Sequence, residues 1–63
     1  MKTNAEQYNE MTCEQRDEIL EDAGVYKMRK IDTNEINEWR FEQLPAKVRK
    51  RVRQELNVRT IRA

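Results

Sequence analysis

Apolar positions along the chain recur at helical spacing in some segments and alternate in another. Residues 3–11 open with Thr3 followed by Glu6. That is the pattern of a capping box, in which each side chain covers an orphan amide at the helix start. The apolar content that follows is thin, with Ala5, Tyr8 and Met11, so the segment reads as one short helix or a frayed arm. Thr12 followed by Gln15 repeats the capping pattern and opens a helix over 13–23. Gly24 supplies the left-handed residue that ends it. At about 100° per residue, Cys13, Ile19, Leu20 and Ala23 gather on one arc, and Glu14, Asp17, Glu18, Glu21 and Asp22 fill the opposite one.

The period then changes. In 25–31, Tyr26 and Met28 alternate with Lys27 and Arg29 between the β-branched Val25 and Ile31. Period two predicts a short half-buried strand, with a short helix as the competing reading. Asp32 or Thr33 would cap a helix over 34–44, Asp32 and Glu35 again having capping-box spacing. Its apolar residues Ile36, Trp39, Phe41 and Leu44 spread around most of the circumference, as in a helix wedged between neighbours or exposed at an interface. Pro45 ends that helix or starts the next. Over 46–57, Val48, Val52 and Leu56 form a narrow apolar stripe that Leu44 extends backward. Asn57 can close this helix in a left-handed turn, leaving 58–63 as a short strand or an unstructured end. The expected fold is mainly α: one small domain of about three helices, with the strand at 25–31 as an addition.

Composition narrows what such a domain can do. The chain has 63 residues, 40% of them charged, with one Gly, one Pro, one Cys and no His. No apolar run approaches the roughly 18 residues of a transmembrane helix. Cys13 has no partner for a disulfide and reads as a buried, inert thiol. Its free state and the lack of a basic-then-apolar leader pattern point to the cytoplasm. Without His, and with one Cys, neither a structural zinc site nor the commonest general base is available. No nucleophile–base pair or Gly-rich phosphate loop is visible, so neither an enzyme nor a cofactor is expected. Leu, Ile, Val and Phe together number twelve, a small core for which a homo-oligomer or bound partner would compensate.

Charge is the strongest functional signal. Residues 1–24 carry two bases against seven acids, whereas residues 25–63 carry eleven bases against five acids. The net charge of +1 therefore hides a dipolar molecule. Lys47, Arg49, Lys50, Arg51 and Arg53 cover nearly all of the last helix outside its apolar stripe. Several cations on one rigid element suit phosphate neutralisation, and arginine forks suit phosphates and guanine edges. The alternative is a solvated face whose arginines pair with the acids of 13–23.

Two DNA-binding arrangements bear on this. A helix-turn-helix would take 15–23 as its first helix, Gly24 as the turn and 26–31 as a recognition helix carrying Lys27 and Arg29. Leu20 is large for that close approach, and Asp32-Thr33-Asn34 truncates the second helix. A ribbon-helix-helix dimer would instead pair 25–31 as a strand with Lys27 and Arg29 toward bases. Its interhelix link would be Pro45 alone, which is tight. Neither resemblance extends far enough to define a family.

The remaining features are weaker. The carboxylates on helix 13–23 lack the converging loop oxygens that Ca²⁺ or Mg²⁺ requires, so no metal site is expected. Trp39, Arg40 and Phe41 make a mixed aromatic–cationic sequence of the kind favoured at protein interfaces, although ordinary core packing is the preferred account of a lone Trp in so small a chain. The functional expectation is a small non-enzymatic regulator that binds DNA or RNA through Lys47, Arg49, Lys50, Arg51 and Arg53, assisted by Lys27 and Arg29. The alternative is an adaptor or inhibitor that grips a larger protein through Trp39, Phe41 and Arg40.

Overall fold

Both capping boxes form. In the computed structural model, which describes residues 2–62 (61 and 62 by their backbone alone), helix α1 spans Asn4–Glu10 and helix α2 spans Cys13–Asp22. Thr3 Oγ1 accepts from the Glu6 amide at 3.2 Å while the Glu6 carboxylate accepts from the Thr3 amide. Thr12 and Gln15 make the same reciprocal pair. Gly24 follows at φ 76°, the left-handed conformation that glycine adopts without a Cβ penalty.

The third helix, α3, spans Ala46–Arg62. Leu44 before it is extended (ψ 144°), as a residue preceding proline tends to be, and the Pro45 carbonyl accepts from the Arg49 amide. Asn57 does not end the helix, and 58–62 is neither strand nor loose end. Nothing in the helix forces a stop at Asn57, and the Thr60 hydroxyl bonds back to the Leu56 carbonyl at 2.9 Å. Ala63, the end of the predicted tail, lies outside the described residues.

Between α2 and α3 two expectations are corrected. Among the described residues there is no strand. Val25–Lys27 is a single 3-10 turn, closed by the Lys27 amide on the Gly24 carbonyl and the Met28 amide on the Val25 carbonyl. A strand needs a ladder partner, and the described residues offer none, so the backbone bonds to itself. The alternation is nevertheless real as burial: Tyr26 and Met28 are half-buried, Lys27 and Arg29 exposed. With neither a strand nor an α-helix over 25–31, the ribbon and the helix-turn-helix arrangements are both absent among the described residues.

The expected helix over 34–44 is likewise two 3-10 turns, Ile36–Glu38 and Phe41–Gln43. Asp32 Oδ1 accepts from the Asn34 amide at 2.9 Å, a local turn that competes with helix, and Glu35 sits at φ 58°. Side chains from elsewhere take the backbone groups that a helix would use. Asn9 Oδ1 accepts from the Phe41 amide at 2.8 Å, and Arg16 reaches the carbonyls of Asn37 and Trp39. The broken path turns Ile36, Phe41 and Leu44 all inward.

The core joins Tyr8, Ile19, Leu20, Val25, Ile36, Phe41, Leu44, Val48, Val52 and Leu56. Tyr8 and Phe41 meet edge to face with ring centroids 5.9 Å apart. Arg16 is buried with them, 9% exposed, its guanidinium 5.1 Å from the Tyr8 ring centre. Cys13, expected inside, is exposed at the first position of α2. No helix of the described residues is long and apolar enough to cross a membrane.

Candidate nucleic-acid interface

α3 is amphipathic with charge rather than mere polarity on its outer side. Val48, Val52 and Leu56 are buried on the inner side, at spacing four. At about 100° per residue, Lys50 falls opposite the middle of that stripe, with Ala46, Gln54 and Asn57 close beside it. Arg49 and Arg53 lie on one flank of this outward pole, and Lys47 and Arg51 on the other. Lys47, Lys50, Arg51 and Arg53 are exposed and Arg49 is half-buried.

These five cations have no carboxylate within salt-bridge distance among the described residues. Their hydrogen bonds to the protein are two long ones to backbone carbonyls. Arg49 Nη1 donates to Glu42 at 3.4 Å and Arg51 Nη1 to Ala23 at 3.3 Å. Each guanidinium has five donors, so most remain available. Among the described residues, the cross-pairing between acidic and basic halves is confined to one residue farther along. Arg59 contacts Asp22 and Glu18 of α2, and Glu55 one turn back on α3. A single arginine thus serves three acids, and the first turns of α3 are left with uncompensated positive charge.

That placement works against the helix itself. The N-terminus of a helix carries the positive end of its dipole, where acids stabilise and cations destabilise by about 0.3–1 kcal/mol each. The first turn of α3 contains no acid. Replacing Lys47 with glutamate is therefore expected to raise stability by about 0.5–1 kcal/mol in low salt, measured by urea denaturation. Unchanged stability would mean that solvent already screens the charge at this end.

The second basic segment adjoins the first. A groove of about 530 Å³ runs between the end of α2 and α3. Asp22 and Ala23 form one side, Lys47, Lys50, Arg51 and Gln54 the other, with Met28 and the exposed Val58 as apolar contributions. Lys27 and Arg29, both exposed, flank Met28 in the chain. The Asp22 and Glu55 carboxylates at the groove are those paired with Arg59.

The residues expected to face a protein partner are not brought together. Phe41 is 5% exposed and belongs to the core, stacked against Tyr8. Trp39 is half-buried against that core, and Arg40 is exposed with its guanidinium toward Glu42. Glu42 accepts in addition from the Asn9 amide group, and hydrogen bonding holds its carboxyl below the ordinary range, led by the backbone amide of Glu42 itself. Sequence reasoning missed Gln54 and Asn57, because uncharged carboxamides among arginines carry no electrostatic signal. Only their angular position beside Lys50 marks them. No family model matches the chain, and comparisons with curated proteins and with solved structures found no match.

Proposed function

We propose that the protein is a small non-enzymatic regulator that binds nucleic acid through the outer face of α3. The observation that carries this reading is the cluster of five cations on the first turns of α3, four of them exposed and none within salt-bridge distance of a carboxylate among the described residues, with Lys47 in the first turn where a cation costs stability. A polyanion compensates both the mutual repulsion and the unfavourable dipole. Lys27 and Arg29, exposed on either side of the groove residue Met28 in the chain, add positive charge near that end of the molecule. The exposed free thiol of Cys13 fits a reducing compartment, the cytoplasm.

The test is a salt titration of binding to a labelled duplex of arbitrary sequence, read by fluorescence anisotropy. Log affinity should fall linearly with log salt, with a slope of several phosphates. Changing Arg49, Lys50 and Arg53 together to alanine should lower that slope by roughly 2–3 and weaken binding by about a hundredfold near physiological salt. Lys50 and Arg53 are exposed, and the half-buried Arg49 gives up one long bond to the Glu42 carbonyl, so the fold should persist. Wild-type affinity and slope in the triple variant, or no binding by the native protein even in low salt, would remove the reading.

A further inference from the structure

The outward pole of α3 is not uniformly basic. Lys50 stands at its centre, with Gln54 and Asn57 close beside it and Ala46 as the one small residue. The Gln54 side chain makes no hydrogen bond among the described residues. Asn57 has one side-chain contact, its Oδ1 accepting from Asn4 Nδ2 at 3.5 Å, the outer limit for such a bond. Both carboxamides are exposed. The cations are disposed symmetrically about this pole, Arg49 and Arg53 to one side and Lys47 and Arg51 to the other. A surface built only to follow a phosphate chain would have no use for two exposed carboxamides beside its central lysine.

Resting on the reading above, we propose that α3 enters the major groove of duplex DNA and reads sequence there, with Gln54 and Asn57 contacting base edges. The dimensions agree. A helix with its side chains is about 10–12 Å across, and the B-form major groove is about 12 Å wide. A helix seated in that groove has a phosphate rim on each side, which is the disposition of the two cation flanks. Its pole meets the base edges, where Asn or Gln pairs with adenine through N6 and N7, and Lys reaches guanine O6 and N7. Ala46 leaves room at the helix start. The 17 residues of α3 extend roughly 25 Å, so the pole residues and both flanks engage together. An A-form RNA duplex has a major groove too narrow to admit the helix, so the geometry selects DNA.

The experiment begins with full-length protein and a pool of DNA duplexes with randomised central base pairs. Repeated capture should enrich a defined sequence containing adenine. Affinity is then compared for the enriched duplex, a scrambled duplex of the same composition, and the RNA duplex of the enriched sequence. The native protein should prefer the enriched DNA by about a hundredfold or more, a ratio expected of a few good base contacts. Gln54→Ala and Asn57→Ala should each reduce that preference about tenfold, with scrambled-duplex affinity and salt slope unchanged. Circular dichroism of both variants verifies the helix. Three results overturn the inference while leaving nucleic-acid binding intact: no enriched sequence, an undiminished preference in both variants, or equal binding to the RNA duplex. Failure to bind any duplex overturns the proposed function with it.

Discussion

Replacing Arg16 with methionine is expected to cost the fold about 3 kcal/mol or more, the largest effect of any single charge removal in the chain. Arg16 is buried with no carboxylate within 4 Å among the described residues, so it is not held by an ion pair. It is held by backbone dipoles. Nε donates to the Tyr8 carbonyl at 3.0 Å and Nη2 to the Asn9 carbonyl at 2.8 Å. Both carbonyls belong to the last turn of α1, where the Met11 amide already donates to Tyr8 at 3.1 Å, so Arg16 completes the C-terminal cap of α1 from a neighbouring element. Nη1 reaches the Asn37 and Trp39 carbonyls at 3.4 Å each, and the guanidinium plane lies near the Tyr8 ring. One side chain therefore ties together α1, α2 and the segment before Phe41.

Methionine keeps the aliphatic stem and removes all of those donors. Each well-made charged hydrogen bond contributes about 1.5–3 kcal/mol, and a buried acceptor left bare costs about 1–3. A 63-residue protein has in total roughly 3–9 kcal/mol to lose. Urea denaturation followed by circular dichroism should show the midpoint collapsing toward zero. Arg16→Lys should recover only a fraction, because an ammonium cannot span four carbonyls with a planar fork. A loss below about 1 kcal/mol in the methionine variant would mean that water replaces the guanidinium without strain.

The same residue shows where the chain was legible and where it was not. Signals confined to a few neighbouring positions were read well. Thr3 with Glu6, Thr12 with Gln15, the left-handed Gly24, and the spacing of Val48, Val52 and Leu56 each depend on contacts within one or two helical turns. The cations of the candidate interface were legible for that reason, since the apolar stripe fixes which side of α3 faces out. The middle of the chain depends instead on distant side chains. Asn9 supplies the partner for the Phe41 amide, and Arg16 the partners for Asn37 and Trp39. Nothing local to 34–44 announces those bonds. What the sequence does carry there is a misfit, in the angular scatter of Ile36, Trp39, Phe41 and Leu44. That scatter marks a segment that changes direction to turn its large residues inward. The neighbourhood of Met28 and α3 at the groove is another long-range fact of this kind.

Tyr8 should show opposite signs in its two simplest variants. Its ring is fully buried, stacked on Phe41 and beneath Arg16, yet its hydroxyl has no hydrogen-bond partner among the described residues. Tyr8→Ala opens a cavity in a small core and is expected to cost about 3–5 kcal/mol, enough to unfold most molecules at room temperature. Tyr8→Phe keeps the stacking and the cation–π contact and removes only the orphan hydroxyl. It should stabilise the fold by about 1 kcal/mol. Alkaline pH gives an independent check on the same group. Burial pushes the Tyr8 phenol up to about 12, only partly offset by the nearby Arg16 charge. Between the ordinary tyrosine value near 10 and about 12, the unfolded chain releases this proton while the folded chain retains it. The folded state then binds more protons, so stability falls as pH rises through this window, by an amount of the order of 2 kcal/mol. Tyr26 moves in the same direction, by burial first and then by its hydrogen bond to Asp17, and it is present in both proteins. The difference between native and Tyr8→Phe unfolding curves across this window therefore isolates Tyr8. The gap between them should widen from about 1 kcal/mol at neutral pH to roughly 3 above pH 12. A constant gap would show that water reaches the hydroxyl in the folded state.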